Sequence, residues 1–184
     1  MKSNPPKYWG SEGDGSTDSW IDGNALTDRT PSNNITGLLF PYNGSVAIYH
    51  CPADRSTVLG YPQFQRFRSY MLSTHLNGNP IGFVAKTRYS ELLNPAGAFA
   101  FLDASETAIS DGAFFVLPLG SPSGDKDCMD SPSDRHSMGA NLSFADERAG
   151  HWRWRWSKQN IQLNQRVAND ADLADLRRLQ QALP

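Results

Sequence analysis

The sequence predicts an α+β fold, a single domain over residues 1–184 with an antiparallel β-sheet and a C-terminal helix. Short segments rich in aromatic and β-branched residues follow one another, bounded by Gly, Pro, Asn or Asp, with no crossover helix between them. The closing stretch NDADLADLRRLQQALP has leucines at helical spacing. A chain of 184 residues, 39% of them hydrophobic, is long enough to bury one core.

Residues 1–35 form a loop-rich N-terminal segment, because stretches such as GSEGDGSTDSWIDGN favour turns over regular structure. Trp9, Trp20 and Ile21 are expected to pin it to the body. Residues 36–168 form the sheet-containing body. It opens with the apolar stretch ITGLLF, a turn at Asn43–Gly44 and a strand over SVAIYH (45–50). Further strands are predicted in FRSYMLST (67–74), GAFAFLDAS (97–105) and GAFFVLPLG (112–120). TRYSELLNP (87–95) reads as a helical turn that stops before Pro95. Residues 120–138 are a long polar loop. Residues 169–183 form the helix, capped by Asn169 or Asp170, with Leu173, Leu176, Leu179 and Leu183 on one face. Asp172 and Asp175 lie early in it and Arg177 and Arg178 late, as the helix dipole prefers.

Between loop and helix lies HSMGANLSFADERAGHWRWRW (136–156), whose two halves alternate with period two. Ala140, Leu142 and Phe144 oppose Asn141, Ser143 and Ala145, and Trp152, Trp154 and Trp156 oppose His151, Arg153 and Arg155. ERAG between them has hairpin-loop length. A base-stacking platform needs arginines beside the aromatics, whereas this alternation puts them on opposite faces. The formal net charge of −2 also argues against a general nucleic-acid binder. The tryptophan row is therefore read as core, with Trp154 beside Phe144. A carbohydrate-stacking face, as in an extracytoplasmic glycan-binding module, is the alternative.

Other candidate chemistry is sparse. The mean hydropathy is −0.53, and no apolar run approaches a membrane span or a signal peptide. Cys51 and Cys128 belong to no metal or redox motif, which leaves two separate buried thiols or one disulfide. His136 and Asp146 read as a hydrogen-bonded pair closing the hairpin rather than an acid/base pair, since no nucleophile motif accompanies them. His50 and Cys51, adjacent on a strand, would point to opposite faces. Asp125, Asp127, Asp130 and Asp134 make an acidic loop that is either solvated or a calcium site. Their spacing does not match an EF-hand.

Nine residues separate His136 from Asp146, and RH..GANLSFAD is followed by a Trp-containing strand. YHCPAD (49–54), FRSYMLS (67–73), FLDASE (101–106) and DLADLRRLQ (172–180) precede or follow it in order. Over roughly residues 40–184 the chain resembles the prepilin-type processing-associated family, named for a His, nine residues and Asp-Gly. That resemblance implies a pilin-like head, similar to type II secretion pseudopilins and type IV pilins. It further implies a non-enzymatic structural subunit, held at the inner membrane by an N-terminal helix absent here and facing the periplasm or cell surface. Its partners would be like subunits and secretion or pilus machinery. The setting would favour a Cys51–Cys128 disulfide, and the likeness to major pseudopilins brings calcium into question for the 125–134 loop. The motif residues are His136, Asn141, Asp146, Trp152 and Trp154. One departure stands out: the family's Asp-Gly is Asp146–Glu147 in this chain.

Overall fold

The computed structural model describes residues 19–76, 83–122, 124–159 and 163–184. Trp9 lies outside them. Two short helices, α1 (Ser32–Ile35) and α2 (Phe40–Asn43), lead into the body, and Gly44 ends α2 at φ 62° where the Asn43–Gly44 turn was expected. Strands β1 (Thr57–Val58) and β2 (Tyr61–Gln65) form a small hairpin of their own. The main strands are β3 (Tyr70–Ser73), β4 (Phe99–Asp103), β5 (Ala113–Phe114), β7 (Gly139–Phe144) and β8 (Ala149–Arg153). Two further short strands, β6 (Asp127–Cys128) and β9 (Gln165–Arg166), pair with each other, and α3 (Asp170–Gln181) closes the chain.

The five main strands form one sheet in the order β5-β3-β4-β7-β8. Every pairing is antiparallel except β3 with β5. The chain between β4 and β5 carries past β3, so β5 reaches the far edge and joins it in parallel. The fold is thus mixed, with a mostly antiparallel sheet and a C-terminal helix.

A register shift in β4 sets the core. Phe99 faces Phe144 and Leu102 faces Leu142, three residues matched against two. Phe99 and Leu102, an odd spacing apart, can therefore both be buried, at 0% and 1% exposure. The Ser143 hydroxyl accepts the Phe101 N–H within this irregularity. Met71, Phe114, Ala140, Leu142, Trp154, Leu176 and Leu179 complete the cluster. Each large side chain buried this way contributes about 1.5–3 kcal/mol. Helix α3 starts as expected, the Asn169 side chain accepting the Ala171 and Asp172 N–H groups.

Two expectations are corrected and a third is extended. The SVAIYH segment is a 3₁₀ turn over Val46–Tyr49, closed by His50 N–H to Ala47 C=O. Among the described residues it meets the sheet region by the Ser69 N–H donating to Tyr49 C=O and pairs with no strand, because the edge beside β3 is taken by β5. The polar loop contributes β6, paired with a distant segment. Asp172 and Asp175 do more than complement the dipole. Both are buried around Lys158, and Asp175 accepts the Arg155 and Trp156 N–H groups, tying α3 to the end of the tryptophan strand.

Candidate functional site

Strands β7 and β8 form the hairpin that the alternation predicts, with Ala140 facing Trp152 and Asn141 facing His151. Its loop runs Phe144 to Arg148, with Glu147 N–H bonded to Phe144 C=O and Phe144 N–H to Arg148 C=O. This is a three-residue loop whose last position is left-handed, and Glu147 takes it at φ 69°. A glycine would take this position without cost, whereas Glu147 occupies it under strain. Asp146 sits at the turn, accepting the Arg148 N–H at 3.2 Å.

The tryptophans do not form a common face. Trp154 is 2% exposed and donates its Nε1–H to Ser133 C=O at 2.7 Å, so a backbone carbonyl of the polar loop supplies its one required acceptor. Trp152, and not Trp154, lies beside Phe144, at 5.9 Å between ring centroids. The Arg178 guanidinium stacks on Trp152 at 4.0 Å. Trp156 is 43% exposed, a departure from the expected buried row. The strand ends at Arg153, so the alternation no longer applies beyond it.

His136 also departs from expectation. Its Nε2 lies 3.0 Å from Oδ2 of Asp103 at the end of β4, not at Asp146. Directly after it, Ser137 and Met138 are both left-handed, at φ 54° and 59°, and swing the chain into β7. His151 Nε2–H donates to His136 C=O at 2.9 Å and Trp154 N–H to Met138 C=O at 2.7 Å, which hold that turn. Gly139 follows because a Cβ there would lie 2.4 Å from the Trp152 carbonyl oxygen.

Around Asp103 a buried polar cluster assembles from four segments. Arg135 reaches Asp103 Oδ1 and Asp54 Oδ2, each at 3.3 Å, and donates to Ala104 C=O. Asn141 N–H donates to Asp103 Oδ2 at 3.1 Å, so this motif residue acts through its backbone. The Ser69 hydroxyl donates to Asp54 at 2.6 Å and accepts the Cys51 N–H. Cys51 Sγ lies 3.3 Å from His136 Nε2. Burial raises the Asp54 carboxyl, but the Ser69 hydroxyl, the Ser56 N–H and the Arg135 charge outweigh it, leaving its pKa below the ordinary carboxylate value. Beside it the Tyr70 hydroxyl is pushed up by burial, then by the Asp103 charge and Cys51.

Cys51 and Cys128 are unbonded to one another. Cys51 belongs to the Asp103 cluster, whereas Cys128 packs in the hydrophobic core, where burial pushes its thiol up to about 11. The four loop aspartates likewise diverge. Asp125 pairs with Arg177, Asp130 accepts the Phe115 N–H, Asp134 takes Ser157 and Lys158, and Asp127 lies in β6. Asp125, Asp130 and Asp134 have each been drawn to a separate partner, and among the described residues the four carboxylates form no common ligand group. A cleft of about 330 Å³, apolar for the most part, opens on the other face of the sheet between Trp20, Leu39, Ile48, Tyr49, Tyr70 and Phe101.

Asp54, Ser69, Asp103 and Arg135 were not singled out from the sequence, yet a signal for them existed. Each lies within or beside a stretch quoted for the resemblance: Cys51 and Asp54 in YHCPAD, Ser69 and Tyr70 in FRSYMLS, Asp103 in FLDASE, and Arg135 and His136 in RH. No protein-family model, no curated protein and no solved structure matches the chain.

Proposed function

We propose that this chain is the globular head of a pilin-like or pseudopilin-like subunit, a non-enzymatic structural protein of a secretion or surface-filament system. The single observation behind this reading is the convergence just described. Residues from stretches that resemble the prepilin-type processing-associated family at 49–54, 67–73, 101–106 and 135–136 meet around Asp103, and their polar atoms bond chiefly to one another. Motif residues spent on one another hold shape. Relay chemistry is disfavoured by geometry, since Asp103 and Cys51 address the same imidazole nitrogen, whereas a nucleophile relay needs the two ring nitrogens on opposite partners. Among the described residues no helix is long and apolar enough to cross a membrane, so membrane attachment in this proposal depends on residues beyond those described.

The proposal places the head in the periplasm or at the cell surface, in contact with like subunits. The test is to express the complete native gene product in cells with and without a prepilin peptidase. Conversion to a shorter form only where the peptidase is present supports the proposal. Processing by ordinary signal peptidase, or none, overturns it and favours an independently exported module.

A further inference from the structure

Among the described residues, one group of His, Cys, Asp or Glu ligand atoms converges: Cys51 Sγ, Asp103 Oδ2 and His136 Nε2, all within 4.8 Å of one another. We propose that these three residues bind one zinc ion, which locks the segment before β1, the end of β4 and the turn before β7 together.

The argument begins with a proton that cannot serve both neighbours well. His136 Nε2 lies 3.0 Å from a carboxylate oxygen and 3.3 Å from a sulfur. With Nε2 protonated, its hydrogen is shared between two acceptors, and the thiol is left to the Tyr70 hydroxyl, whose titration Cys51 helps to raise. With Nε2 bare, the thiol is satisfied but a lone pair faces the carboxylate. A cation at the centre resolves the conflict, because a thiolate, a carboxylate oxygen and a neutral imidazole nitrogen are all its ligands. On binding, zinc displaces the Cys51 thiol proton to solvent, and the imidazole keeps its proton on Nδ1.

Dimensions agree with this assignment. Zinc bonds of about 2.0–2.3 Å in a tetrahedron imply ligand-to-ligand edges of roughly 3.3–3.6 Å. The two observed edges at His136, 3.0 and 3.3 Å, need a few tenths of an ångström of opening, and the remaining edge from Cys51 Sγ to Asp103 Oδ2 lies within 4.8 Å. Charge agrees too. The anions Asp54, Asp103 and a Cys51 thiolate, less the Arg135 guanidinium, leave two negative charges for a divalent ion to match. Arg135 holds Asp103 by Oδ1, leaving Oδ2 turned to His136, an outer-shell arrangement that orients a ligand. Sulfur and imidazole donors select zinc over calcium or magnesium. The Asp103 side chain is fully buried, while the His136 side chain is 23% exposed, so an ion reaches the group from the histidine's side.

The experiment uses the full chain, stripped with chelator and dialysed against zinc or cobalt. One retained equivalent of zinc, and a thiolate-to-cobalt charge-transfer band with tetrahedral visible bands, support the site. Cys51→Ser should lose the charge-transfer band and Cys128→Ser should keep it. His136→Asn should weaken zinc binding by more than the roughly 10–100-fold typical of outer-shell changes. Should Cys51→Ser fail to fold, zinc protection of Cys51 from alkylation in the parent, read by peptide mass, decides the matter. No retained zinc and no charge-transfer band in the parent would overturn the proposal, as would a band lost with Cys128→Ser or a Cys51 alkylated equally fast with zinc.

Discussion

Nε2 of His136 lies 3.0 Å from Oδ2 of Asp103, while Asp146, separated from the histidine by nine residues, accepts the Arg148 N–H instead. The histidine thus ties the polar loop to β4, and the aspartate shapes the hairpin tip at the opposite end of β7. A double-mutant cycle on metal-free protein should give a coupling of about 1–3 kcal/mol for His136 with Asp103, as for hydrogen bonds to charged groups. The same cycle for His136 with Asp146 should be additive within about 0.5 kcal/mol. Coupling to Asp146 instead would contradict the assignment.

Glu147 occupies a left-handed position at φ 69°, where a side chain costs about 1–2 kcal/mol relative to glycine. Glu147→Gly should therefore raise the urea unfolding free energy by about 1 kcal/mol, after the entropy that glycine adds to the unfolded chain. The gain should be the same in a His136→Ala background, because a strand of this length separates the two sites by about 17–20 Å. A smaller or larger gain there would reveal a connection along β7.

Trp154→Ala should cost about 3–5 kcal/mol, as the removal of a large buried side chain does. Trp154→Phe keeps much of the volume but strands the Ser133 carbonyl without its donor, and should cost about 1–3 kcal/mol from that group. Trp156→Ala and Arg153→Ala, both at exposed positions, should each cost under about 1 kcal/mol. Equal losses at Trp154 and Trp156 would show that the strand's alternation continues past Arg153.

Asp130 gives the fold a pH dependence of defined sign. Burial pushes its carboxyl from an ordinary 3.8 up to about 7, against the Phe115 N–H and with help from the Asp111 charge. The folded state holds this proton more tightly, so the contribution is fully present below the unfolded value and is lost as pH rises through about 7. Asp130→Asn keeps an acceptor for Phe115 and cannot ionise. It should be more stable than the parent at pH 8 by about 1–3 kcal/mol, a range trimmed for the residue's partial access to water. A parent whose stability is flat between pH 4 and 8, measured by denaturant titration, would refute this.

Local pattern settled the elements whose cause is local. The Asn169 cap and the leucines of α3 are read from adjacent residues, as is the β7–β8 pairing, because a hairpin joins strands that are neighbours in sequence. The Val46–Tyr49 turn was missed for the complementary reason. Its apolar residues suit a strand, but whether a strand forms depends on a free sheet edge, and β5 holds the one beside β3.

What tertiary structure alone decided is which distant residues become partners. Sequence spacing offered Asp146 to His136, yet Asp103 lies nearer in space, because β4 pairs with β7 and brings its C-terminal end beside the chain entering β7. The same pairing, with its register shift, buries Phe99 and Leu102 together against the period-two rule. Cys51 found His136 rather than Cys128 because Ser69 anchors its backbone at the head of β3, while Cys128 is drawn beneath α3 by hydrophobic burial. Periodicity reports which face of an element is apolar, but pairing between segments far apart in sequence is chosen by the whole sheet, where burial and hydrogen bonding are satisfied together.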